Sequence, residues 1–185
     1  GLIPMVFPDY KSVESNEVRE MYEKEWGQAL PSSRGLTVVE IMNAVHKNKI
    51  KGMYIMGENP AMSDPDVQHA RNGLAKLEHL VVQDIFLTET CFHADVILPA
   101  SVFSEKSGTF TNTNRQIQMA RPVLTIEGEA RPDWWIIKEI GNRFGLNWTY
   151  NGPEDIFNEM KRTMRSFDNI TWARLENEDA VTYPC

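Results

Sequence analysis

VVQDIFLTETCFHADVILPAS, residues 81–101, decides the fold. Two apolar runs, Leu80–Phe86 and Val96–Pro99, read as buried strands. Between them lies a polar turn with Thr88, Glu89, Thr90, Cys91, His93 and Asp95. Gln83 and Asp84 interrupt the first run near its end. Either a ligand lies across these strand ends, or the polar residues cap an ordinary loop.

The residues upstream supply the partner strand. In GMYIMGENPAMSDPDVQHARNGLAKLEHL, residues 52–80, Met53–Met56 is a short apolar strand that Gly57 ends. A helix then opens, with Asp64 expected as N-cap and Pro65 in its first turn. Val67, Ala70, Leu74 and Leu77 repeat at helical spacing before the next strand begins. Strand, helix and strand in this order make a βαβ unit, which requires a parallel sheet and a right-handed crossover. The fold class expected is α/β, a Rossmann-like parallel-sheet layer with a β-rich excursion.

Further out, NEVREMYEKEWGQAL (16–30) is a charged helix, and Val38, Ile41, Met42 and Val45 mark an amphipathic one. His46 is expected at the surface there. GTFTNTNRQIQMARPV (108–123) alternates with a period of two and suits a hairpin. In RPDWWIIKEIGNRFG (131–145) helix returns. Asp133 is a candidate cap, Ile136, Ile137, Ile140 and Phe144 the apolar stripe, and Gly145 the stop. PEDIFNEMKRTMRSF (153–167) is a last helix with Ile156, Phe157, Met160 and Met164 on its apolar side, and the tail after it has no clear period. The organisation expected is a lead-in over 1–30, a βαβ dinucleotide-binding domain over 31–107, a β excursion over 108–132, and helices and tail over 133–185.

Bulk properties exclude several classes. A net charge of −7 over 185 residues gives no basic face for nucleic acid. No apolar run approaches the roughly 20 residues of a membrane span, and the N-terminus lacks the features of a signal peptide. It also has no initiator Met. Two distant cysteines, Cys91 and Cys185, match no zinc or cluster spacing and suit a reducing, cytoplasmic setting. There is no G-x-S-x-G, H-E-x-x-H, Walker loop or G-x-G-x-x-G. Glu105 and Lys106 are read as solvated charges, and Trp134 and Trp135 as core or interface.

In a parallel sheet, ligands sit beyond the carboxyl ends of the strands. The first strand delivers Gly57, Glu58, Asn59 and Ser63 there; the second Gln83, Asp84 and Thr88; the third Ala100 and Ser101. These mostly uncharged hydrogen-bonding types suit a nucleotide better than acid–base catalysis. For Asn59, Ser63 and Asp133 the turn and cap reading stands beside the ligand reading, as it does for Gln83 and Asp84.

Three stretches, GMYIMGENPAMSDPD, LVVQDIFLTETCFHADVILPASVFSEKSGTFTNTNRQIQ and RPDWWIIKEIGNRFG, resemble in the same order the molybdopterin oxidoreductases of the dimethyl sulfoxide reductase superfamily, formate dehydrogenase alpha subunits above all. The resemblance covers the whole chain. It implies a part of a subunit that holds molybdenum or tungsten between two molybdopterin guanine dinucleotides, carries iron–sulfur clusters, and oxidises formate to carbon dioxide. The cluster cysteines, the metal-ligand residue and the formate-binding arginine of that family lie upstream of the matched region, so no catalytic residue, metal ligand or cluster is expected in this chain. The expected partners are the rest of the alpha subunit and electron-transfer subunits, with self-association of the chain alone. The family's dinucleotide contacts fall on Gly57, Glu58, Asn59, Ser63, Gln83, Asp84, Ala100 and Asp133. Ala100 departs from the serine frequent at its position, unless Ser101 replaces that hydroxyl. Rival readings are a nitrate reductase of the same superfamily, a nicotinamide-binding Rossmann domain, and a non-catalytic interaction module.

Overall fold

A computed structural model describes residues 4–185. The first three positions of the expected lead-in lie outside the described residues. In chain order the elements begin with β1 (Val6–Phe7), β2 (Lys11–Ser12), α1 (Asn16–Trp26), α2 (Val38–His46) and β3 (Gly52–Met56). Then follow α3 (Pro60–Ser63), α4 (Val67–Leu74), β4 (His79–Asp84), β5 (Val96–Pro99), β6 (Gly108–Thr111) and β7 (Gln116–Ala120). The last are α5 (Asp133–Arg143), α6 (Pro153–Thr163), α7 (Trp172–Asn177) and β8 (Val181–Thr182). The chain forms two compact units: one holds the stretch up to Gly35 with Phe103–Val123 and Phe144–Cys185, the other Leu36–Val102 with Leu124–Arg143. Compactness thus joins α5 to the parallel sheet and the 108–120 hairpin to the C-terminal helices.

The second unit is built on a three-stranded parallel sheet in the order β3–β4–β5. Pleating sends alternate residues of β4 to opposite faces. Leu80 and Val82 pack with Ile55, Ala61, Leu74 and Cys91 into one core. Val81 and Gln83 take the other face. Two helices are fixed by their first residues. Thr37 and Glu40 form a reciprocal capping box on α2, and Asp66 accepts from the His69 amide at α4.

Several local expectations are corrected. The helix cap is Asp66, not Asp64; Asp64 accepts instead from the Asp66 amide, in the turn that separates α3 from α4. The strand ends at Asp84 rather than Phe86, because the Asp84 carboxylate takes the amides of Ile85 and Phe86 and turns the chain out of the ladder. Phe144 lies beyond the end of α5 and is exposed, so the helix buries Ile136 without it. Asp133 is the first helical residue, and the Pro132 carbonyl accepts the Ile136 amide. Val38 is largely exposed, leaving Met42 and Val45 as the buried side of α2. His46 is half-buried, stacked on His69 at 3.9 Å between centroids.

The first unit closes the hairpin β6–β7 with a third antiparallel strand, β8, drawn from the tail. Its core is Ile117, Phe157, Met164, Phe167, Ile170, Leu175 and Val181. Tyr22 is fully buried, stacks on Phe7, and donates to the Pro8 carbonyl at 2.9 Å.

A polar cavity of about 420 Å³ in this unit is lined by Trp148, Tyr150, Asp155, Glu159 and Arg162 among others. Glu159 accepts from the Trp26 indole and the Tyr150 hydroxyl, so its carboxylate serves the packing of α1 against α6. Burial, then the Glu159 hydrogen bond, push the Tyr150 phenol up to about 12. A phenol raised above its unfolded value favours the folded state while protonated. That contribution is fully present below the ordinary tyrosine value of about 10 and is lost as pH rises through the folded value. Tyr150→Phe is therefore expected to remove one late-titrating phenol from an ultraviolet alkaline titration. An unchanged titration curve would count against this environment.

Candidate functional site

The carboxyl edge of the parallel sheet is assembled by β3, β4, β5 and the start of α5. Gly57 ends β3 at φ +63°, and its amide donates to the Gln83 carbonyl at 2.9 Å. An L side chain is disfavoured at that φ, and the space its Cβ would take is open. Glu58 is exposed beside it.

Asn59 does not cap α3 with its side chain. Its Oδ1 accepts the Thr90 amide at 3.1 Å and hydroxyl at 2.8 Å, while Nδ2 donates to Glu89 at 2.7 Å. Thr90, fully buried, in turn accepts the Ala61 amide. The Asn59 amide therefore ties the two loops that rise from β3 and β4. Its Glu89 partner has its carboxyl held below the usual range, first by that hydrogen bond. Ser63 is exposed, and its hydroxyl back-bonds to the Asn59 carbonyl at 3.0 Å.

Gln83 is 0% exposed. Its Oε1 accepts the Tyr54 hydroxyl, and its Nε2 donates to Asp133 Oδ1 at 2.7 Å. Asp133 arrives from 50 residues away because the preceding segment runs alongside β5: Arg131 donates to the Pro99 carbonyl and accepts the Ser101 amide. Ala100 pairs with Arg131 in this one-residue parallel bridge and is buried, as is Ser101. Burial, and then the Asp133 charge, raise the Tyr54 phenol above its ordinary value.

The structure thus brings Gln83 and Asp133 into direct contact, sets Gly57 against the Gln83 backbone, and uses Asn59, Ser63 and Asp84 in loop hydrogen bonds. Glu89 and Thr90, read in the sequence only as part of a polar turn, belong to the same edge, as does Tyr54, which went unnoticed there. The pleat offered a signal for Tyr54, since it sits on the opposite face of β3 from the core residue Ile55. Cys91 is a buried loop thiol 3.5 Å from the Thr88 hydroxyl. Chemically the edge is a set of hydrogen-bonding groups and carboxylates without a nucleophile–base pair, suited to holding a polar ligand.

A family model described as molybdopterin oxidoreductase matches residues 11–143. The F420-dependent formate dehydrogenase subunit alpha of Methanocaldococcus jannaschii is 46% identical over 187 residues, covering 100% of this chain and 27% of that protein. The F420-dependent formate dehydrogenase 1 subunit alpha of Methanococcus maripaludis is 38% identical, with the same coverage of 100% and 27%. The chain therefore spans about a quarter of the length of these relatives. Among solved structures, the acetylene hydratase of Pelobacter acetylenicus superposes with a TM-score of 0.67 over 96% of this chain and 25% of its own, at 19% identity, a likeness of fold.

Proposed function

We propose a function from one premise: this chain belongs to the molybdopterin oxidoreductase family. Within that family it forms part of a formate dehydrogenase, and its parallel-sheet edge holds one molybdopterin guanine dinucleotide. What carries the reading is 46% identity, across the whole chain, to a protein named as a formate dehydrogenase alpha subunit. The residues at the edge fit such a group in their chemistry. Gly57 leaves open space where a side chain would stand. Asp84 and Asp133 supply carboxylates, and a carboxylate accepts about four hydrogen bonds, so the two amides that Asp84 takes from Ile85 and Phe86 do not exhaust it.

The residues of this chain would hold and orient the dinucleotide: the Gly57–Ser63 loop on one side, Asp84 and Asp133 towards the guanine, Gln83 and Ala100 behind them. A molybdenum or tungsten ion bound with the dinucleotide would supply the two-electron chemistry that converts formate to carbon dioxide and a proton. Phe86, Leu87 and Phe92, all more than 70% exposed, suit contact with the remainder of a larger subunit, and self-association where that remainder is absent. Among the described residues no helix is long and apolar enough to cross a membrane.

Asp84→Ala tests the reading. In the enzyme purified with its cofactor, removing a carboxylate that guanine N–H donors need leaves them unsatisfied, about 1–3 kcal/mol. Guanine and metal content per subunit should fall, and formate-dependent dye reduction with them. Full guanine and metal content in the variant would remove Asp84 from the site.

A further inference from the structure

Gln83 is completely buried, yet both ends of its amide are used. The oxygen takes the Tyr54 hydroxyl, and the nitrogen gives a proton to Asp133 at 2.7 Å. A primary amide can accept from a phenol and donate to a carboxylate at once. A glutamate in its place would set one acceptor against another, and a leucine would leave two polar groups unsatisfied. With no accessible surface, the Gln83 side chain cannot itself touch a ligand at the edge.

We propose that Gln83 is a positioning residue: it acts on the bound dinucleotide through Asp133, whose carboxylate it aims, and Tyr54 braces the amide from the other side. This rests on the reading of Asp133 as a dinucleotide-binding residue. The geometry supports the division of labour. Gln83 stands on a central strand, held on both sides by the ladder, with the Gly57 amide on its carbonyl. Asp133 stands on the first turn of a helix that enters from a distant segment. From a strand held on both sides by the ladder, the Gln83 amide therefore fixes the direction of the Asp133 carboxylate. Tyr54, whose phenol is raised by burial and by the Asp133 charge, stays a donor towards Gln83.

The test uses three variants of the cofactor-loaded enzyme: Gln83→Glu, Asp133→Asn, and the two combined. The readouts are guanine nucleotide released per subunit on acid hydrolysis, its retention on dialysis across pH, and thermal stability. In Gln83→Glu two carboxyls face each other and share a proton, which raises the affinity of the pair for that proton. Guanine should be retained at acidic pH, where the shared proton restores the hydrogen bond. Retention should drop by about tenfold or more as pH rises and the proton leaves. The wild type should show no such dependence. The double variant restores a hydrogen bond of reversed polarity, so its stability should recover while guanine stays low.

A flat, wild-type pH profile in Gln83→Glu overturns the proposal. So does recovery of guanine in the double variant, which would mean that only the integrity of the fold matters. If Gln83→Glu does not fold, the double variant decides alone by the same criterion. Full guanine content in Asp133→Asn would instead overturn the assignment of Asp133, on which the proposal stands.

Discussion

Phe157→Ala is expected to destabilise the unit that carries the hairpin by about 3–5 kcal/mol. Phe157 is 2% exposed and lies in the middle of that unit's core. Its ring meets Trp172 edge-on at 5.9 Å and Phe167 tilted at 5.9 Å, and Phe167 meets Tyr183 at 5.5 Å. Four aromatic rings from separate stretches of the C-terminal region thus share one cluster. Truncation removes the transfer energy of a large side chain and leaves a cavity that rings held on different elements cannot collapse to fill. Denaturant unfolding should show a lower midpoint with an unchanged slope. Phe144→Ala is the control. That ring is 84% exposed, so its loss should fall within about 0.5 kcal/mol. Equal losses from the two substitutions would mean that the core is not where the structure puts it.

Leu80→Ala is expected to cost about 2–5 kcal/mol in the other unit. Leu80 is 1% exposed, on the central strand, against Ile55, Leu74 and Val82. Its backbone bonds to Asp95, an amide to the carboxylate at 2.7 Å and a carbonyl to the amide at 2.9 Å, survive the substitution. What is lost is packing between the sheet and α4. The consequence reaches the candidate site, because β4 carries Gln83 three positions further along. Hydrogen exchange should quicken at the Gly57 amide, which bonds to the Gln83 carbonyl. Val96→Ala, at a position 40% exposed, should cost much less. If the Gly57 amide kept its protection in a destabilised Leu80→Ala protein, the edge would be held by something other than the packed strand.

The βαβ unit was legible because its signals are local. Met53–Met56 and Val96–Pro99 are short apolar runs, and the strands found there are Gly52–Met56 and Val96–Pro99. The alternation at 108–123 likewise became the hairpin β6–β7. The candidate site was legible only as a group of strand ends. Gly57, Asn59, Gln83 and Asp84 stand at strand ends, as parallel topology requires. The tasks of their side chains were not legible, because polar groups bond to whatever acceptor or donor the fold brings near. Asp84 turns the chain, Asn59 joins two loops, and Gln83 looks inward.

From residues alone, then, come the main strands and helices of the βαβ unit and the hairpin, and the strand ends proposed as a candidate edge. These depend on periods of two and 3.6 residues, which need no knowledge of distant segments. Tertiary structure decided the pairings that cross the chain. The tail supplies β8 to the hairpin although it shows no period, since two residues, Val181 and Thr182, suffice to extend a ladder that already exists. Asp133 meets Gln83 across 50 residues because Arg131 runs alongside β5. A strand can be read from its own residues; the partner of a buried amide is chosen only when the backbone of another segment has been laid beside it.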